Sequence, residues 1–65
     1  MLQVGDKIEI IDMDGEPQYS GKVGVVEYIA KDPWGDTQVH GTWGGCALYL
    51  GKDSYKVLEH AEPSN

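Results

Sequence analysis

The residues able to do chemistry are few and scattered. Asp12, Asp14 and Glu16 occupy alternate positions in Asp12-Met13-Asp14-Gly15-Glu16, the spacing with which a calcium loop begins. Such a loop closes about twelve residues from its start on a glutamate, and the position that would supply it is Val23. An exposed acidic turn is therefore expected, and no metal. His40 and His60 are the only histidines. His40 alternates with Val39, so it should face away from a core. It has no second ligand at a metal-like spacing and no serine or cysteine partner in a recognised motif. Cys46 is the single cysteine, which rules out an internal disulfide. It is expected to be a small apolar residue in a reducing compartment. The only candidate for an activating base is His40, across a hairpin. The glycines are dispersed and none leads into a helix, so no phosphate cradle is present. With no nucleophile–base–orienter set, the chain reads as non-enzymatic and free of cofactors.

The aromatic residues offer recognition chemistry instead. Trp34, Trp43, Tyr49 and Tyr19, with His40, form the candidate ligand- or partner-binding set. Trp43 is most simply a core residue whose indole N–H needs one acceptor, with an aromatic floor on a binding face as the alternative. Trp34 follows Pro33 in a polar turn, where a large ring either packs back or meets a partner. Tyr28 and Tyr55 would extend a ring-lined groove of the kind that takes extended peptides, or serve the fold alone.

Short strands must position these residues. Lys7-Ile8-Glu9-Ile10 alternates charged with apolar side chains, the period of a half-buried strand. Residues 13–21 are rich in Asp, Gly, Pro and Ser and read as a long loop. Residues 22–30 supply β-branched and aromatic side chains for a second strand. The adjacent Val25-Val26 predicts a bulge there, which bends a strand as closing a small barrel requires. Residues 31–36 form a Pro- and Gly-containing turn. A third strand is expected over 37–43, with Thr37, Val39, Gly41 and Trp43 on one face. Gly44-Gly45 predicts a two-residue hairpin, followed by a fourth strand over 46–50 and a fifth over 54–58. Nothing carries a helical period. The expectation is an all-β, SH3-like, partly open five-stranded barrel over residues 1–58, with a flexible tail over 59–65.

Bulk properties narrow the function classes. A chain of 65 residues hides only about 60% of its unfolded surface, so net stability of roughly 3–5 kcal/mol is expected. Eleven acidic residues face five lysines and no arginine, for a net charge of −6. That balance argues against binding a phosphate backbone. The acids are spread along the chain, which weakens a reading as a nucleic-acid mimic. No apolar run approaches the ~18 residues that span a membrane, and no secretory signal is recognisable; a cytoplasmic location is expected.

Three segments carry a family likeness. Gly5-Asp6-Lys7-Ile8, then residues 13–24 from Met13-Asp14-Gly15 to Gly21-Lys22-Val23-Gly24, then His40-Gly41-Thr42-Trp43-Gly44-Gly45-Cys46-Ala47-Leu48 resemble the family called domain of unknown function 4314. The likeness spans residues 4–58, and the His-Gly-Thr-Trp-Gly-Gly run is its most specific part. It implies a short bacterial protein often carried by phages and mobile elements. It brings no established activity and no catalytic residues. The chain departs from the pattern in a longer turn at Asp32-Pro33-Trp34-Gly35-Asp36, and in Tyr49-Leu50 where an Ile-Pro-like pair is expected.

Two functions follow as expectations. One is a module that occupies the surface of a host defence or regulatory protein. The other is a homo-oligomer that sequesters a small nucleotide-type ligand, for which the objection is the scarcity of cations. Nucleic-acid binding, suggested by the barrel alone, ranks third. Unpaired edge strands favour a homo-oligomer.

Overall fold

A computed structural model describes residues 2–61. Five strands are present: β1 (Lys7–Asp12), β2 (Val23–Lys31), β3 (Thr37–Gly41), β4 (Leu48–Tyr49) and β5 (Ser54–Glu59). One turn of 3-10 helix, Pro17–Tyr19, interrupts the long first loop. The strands form one antiparallel sheet in the order β4-β3-β2-β1-β5. The sheet does not close between β4 and β5, so the expected all-β, partly open barrel is what forms. Among the described residues no helix is long and apolar enough to cross a membrane.

β2 makes the bend. Its first residues, Val23 to Val25, pair with β1, and its later ones, Val26 to Lys31, pair with β3. The register slips between Val26 and Tyr28, so the irregularity sits at Glu27, just past the Val25-Val26 pair. The reason lies in Gly24. Gly24 and Val26 both point inward while Val25 points out, so alternation persists through the valines and breaks after them.

The core consists of Leu2, Ile8, Ile10, Met13, Val26, Val39, Trp43 and Leu48, with Tyr19, Cys46, Tyr55 and Val57 packed against it. Trp43 organises its own end. A Cβ on Gly24 would lie 2.9 Å from the indole, and one on Gly41 would meet the same ring. The ring therefore lies flat across two glycines, and its N–H donates to the Cys46 carbonyl at 2.9 Å. This fold-back takes residues 42–47 out of the ladder. The expected two-residue hairpin at Gly44-Gly45 is thus a six-residue loop, β3 stops at Gly41, and β4 is only Leu48–Tyr49. Gly44 has φ of 144°, and the Tyr19 ring would lie 3.0 Å from a Cβ there. Only this first glycine of the pair is structurally required.

Gln3 and Ala61 are clasped together by Asp6, which is fully buried. Its carboxylate accepts from the Ala61 N–H at 2.6 Å and the Gln3 N–H at 2.9 Å. The His60 Nδ1 lies 3.4 Å away on a largely exposed ring. Glu59 pairs with Lys7 and Ala61 is held by Asp6, so these two residues of the expected tail are part of the fold. Residues 62–65 of the expected tail lie outside the described residues.

The Ala61 N–H, then the Gln3 N–H, hold the Asp6 carboxyl below the usual 3.8, with burial opposing and His60 adding a smaller favourable contribution. A carboxyl more acidic when folded than unfolded stabilises the fold above its unfolded pKa. That stability declines as pH falls below 3.8 and is gone once the folded carboxyl is protonated. Asp6→Asn should lower the urea midpoint at pH 7 and flatten its decline between neutral and strongly acid pH. Parallel titrations of both proteins check this; equal midpoints at pH 7 would show that the clasp contributes nothing.

Candidate binding face and cleft

Cross-strand pairing sorts the candidate residues onto faces. Tyr28 stands opposite His40, and Gln38 stands opposite both Ala30 and Tyr49. Opposed residues share a face, so Tyr28, His40 and Tyr49 stand on the outer face of β2–β3–β4. Val39 and Leu48 fill the core from the other side. The Tyr28 and His40 rings stack, with centroids 4.3 Å apart and planes 9° from parallel. The outward orientation expected for His40 is what pairing imposes, and the stack fixes its ring.

His40 and Tyr49 also line a cleft of about 460 Å³. Its other walls are Met13, Asp14 and Glu16 from the first loop, residues 45–47 from the β3–β4 loop, and the Lys52-Asp53 turn. Asp53 ties these walls together. One carboxylate oxygen accepts from the Asp14 N–H and the other from the Tyr49 N–H, each at 2.8 Å. The Lys52 ammonium sits 5.5 Å from the centroid of the Tyr49 ring, within cation–π range. Lys52 is one of the three lysines, with Lys22 and Lys31, that the sequence offers to a ligand's phosphates, whereas Asp53 is not legible there as a site residue. Its only signal is an Asp in a Gly-Lys-Asp turn, the residue type that bonds neighbouring backbone.

The remaining candidates separate. Trp43 is 4% exposed and its N–H is already used, so it supports the site from the core and offers no face to a partner. Tyr19 is half-buried against Gly44, with the Lys22 ammonium 5.4 Å from its ring centroid. Hydrogen bonding with the Cys46 thiol, then burial, raises its hydroxyl above the usual 10.0. It braces the loop and does not line the cleft. Asp14 and Glu16 reach the cleft but Asp12 does not, and among the described residues no three His, Cys, Asp or Glu side chains are grouped to hold a metal.

Trp34 stands apart, 85% exposed, in the β2–β3 turn. Asp32 orders that turn: its carboxylate accepts from the Trp34 and Asp36 N–H groups, each at 2.9 Å. The Asp32 N–H donates to the Asp36 carbonyl and the Gly35 N–H to the Asp32 carbonyl, each at 3.0 Å. The indole is thus held out on a rigid backbone. Neither comparison with protein-family models nor searches among curated proteins and solved structures returned a match.

Proposed function

We propose that the chain is a non-enzymatic module that binds another protein, with Trp34 as its anchor. The observation that carries this reading is the exposed indole on an ordered turn. An isolated tryptophan in water forgoes a large burial gain, and tryptophan is among the residues that dominate protein interfaces. A turn ordered before binding reduces the entropy lost on docking. Asp32 and Asp36 flank the ring, and the whole chain is acidic, so the fitting partner surface is an apolar pocket with a basic rim. The likeness to domain of unknown function 4314 supports a phage or mobile-element setting, and with it a host defence or regulatory protein as target. The test compares wild type with Trp34→Ala as baits in bacterial lysate. A discrete protein retained by the first and lost from the second supports the reading; equal retention, or none, removes it.

The cleft beside His40 and Tyr49 favours a second reading, a homo-oligomer that sequesters a nucleotide-type ligand. Lys52 is the only lysine there, facing Asp14, Glu16 and Asp53, which opposes phosphates and ranks this reading second. Native mass spectrometry with a nucleotide panel tests it: a nucleotide-bearing oligomer would reverse the order.

A further inference from the structure

We propose that the cleft between the acidic first loop and β4 receives an arginine side chain of the protein partner, an inference that rests on the protein-binding reading above. The cleft has room for it: about 460 Å³ lies within the roughly 300–1,000 Å³ of small-ligand sites. Its charge selects a cation. Both Asp53 oxygens are taken by backbone N–H groups, whereas Asp14 is exposed. Glu16 spends one oxygen on the Gln18 amide and keeps the other. A cation also already sits on the cleft's ring, because Lys52 lies over Tyr49. Lys52 thus takes within the molecule the place that an incoming cation would take. His40, pinned flat by Tyr28, lines the same cleft. A guanidinium fits these walls better than an ammonium. It is planar, stacks on aromatic faces and grips a carboxylate through two parallel N–H groups.

The test is an NMR titration of the full chain with N-acetyl-arginine amide, which presents the side chain without free termini. Saturable shifts are expected at the amides of Asp14, His40, Cys46 and Tyr49, with a dissociation constant on the order of millimolar. The matching lysine amide should bind more weakly and the glutamine amide not at all. Asp14→Asn and Glu16→Gln should each weaken binding about two- to fivefold, the scale of an exposed charge pair. Lys52→Gln should tighten it by a similar factor, because it removes the competing cation. Lys52→Gln that weakens binding, equal shifts with the glutamine amide, or shifts outside the cleft would each overturn the proposal.

Trp34→Ala leaves the cleft intact and should bind the arginine probe like wild type. The two ideas can therefore fail separately. Arginine binding without any Trp34-dependent partner removes the protein-binding reading, and with it the partner as the arginine's source, while the cleft's preference for a guanidinium stands. A Trp34-dependent partner whose affinity ignores Glu16→Gln and Lys52→Gln removes the arginine site alone.

Discussion

Gly41→Ala, the addition of one methyl group, should cost this protein most of its stability. The new Cβ would lie 2.5 Å from the Val25 carbonyl oxygen and 2.7 Å from a Trp43 ring carbon. Neither neighbour can yield cheaply. The carbonyl belongs to β2, and Val25 is held there through both its N–H and its oxygen, which bond Thr42. The indole is fixed by its bond to Cys46 and by Gly24 beneath it. Overpacking a tight core costs about 1–3 kcal/mol and at times more, against a total of roughly 3–5 kcal/mol for a scaffold this small. A fall in melting temperature on the order of 10–20 °C is expected, read by far-UV circular dichroism. Gly45→Ala is the matched control, since nothing lies within 4 Å of a Cβ there. Its effect should stay within about 0.5 kcal/mol. Shrinking the ring should rescue part of the loss, so Gly41→Ala with Trp43→Phe should cost less than the two changes summed. Strict additivity would mean that the ring is not what the methyl group strikes.

Trp34→Ala should do the opposite: leave the fold alone and remove the binding. The ring is 85% exposed, and the turn is held by Asp32 without its help, so stability should change by less than about 0.5 kcal/mol. Truncating a central aromatic anchor costs about 2 kcal/mol or more, which is roughly a thirtyfold loss of affinity. Asp32→Ala separates the ring from its presentation. It keeps the indole but frees the Trp34 and Asp36 N–H groups, so the ring must be ordered on binding. A smaller loss, about five- to tenfold, is expected from that ordering cost. Calorimetry of each variant with the captured partner gives the comparison. An Asp32→Ala protein that binds like wild type would mean that rigidity of the turn contributes nothing.

The strands were legible where side-chain alternation is set by one buried face. Ile8 and Ile10 are buried as their spacing requires, and β5 overruns its expected end only by Glu59. Legibility failed where a side chain reaches across the sheet. Gly44-Gly45 looks like a tight hairpin because glycine pairs usually are, yet Trp43 folding onto Gly24 and Gly41 converts it into a loop. No local pattern contains that contact, since Gly24 lies in another strand. Asp6 was missed for a similar reason. An aspartate after glycine reads as a surface turn, and its burial depends on the Ala61 N–H, 55 residues further on. For the site, the outward face of His40 and the prominence of Trp34 followed from alternation and turn chemistry. The cleft did not, because Asp14, His40, Tyr49 and Lys52 meet only after the loops have folded over one end of the sheet.

β2 is shared by both halves of the sheet, pairing with β1 at its start and β3 along the rest. Neither half can detach without exposing one side of this strand. Opening should therefore be all-or-none, and hydrogen exchange should report a single slowest class rather than one for each half. Amides near the crossover, such as Val26, whose N–H bonds the Asp6 carbonyl at 2.9 Å, should exchange only with global unfolding. A partner gripping the β2–β3 turn would then slow exchange as far away as β1, even where it touches nothing.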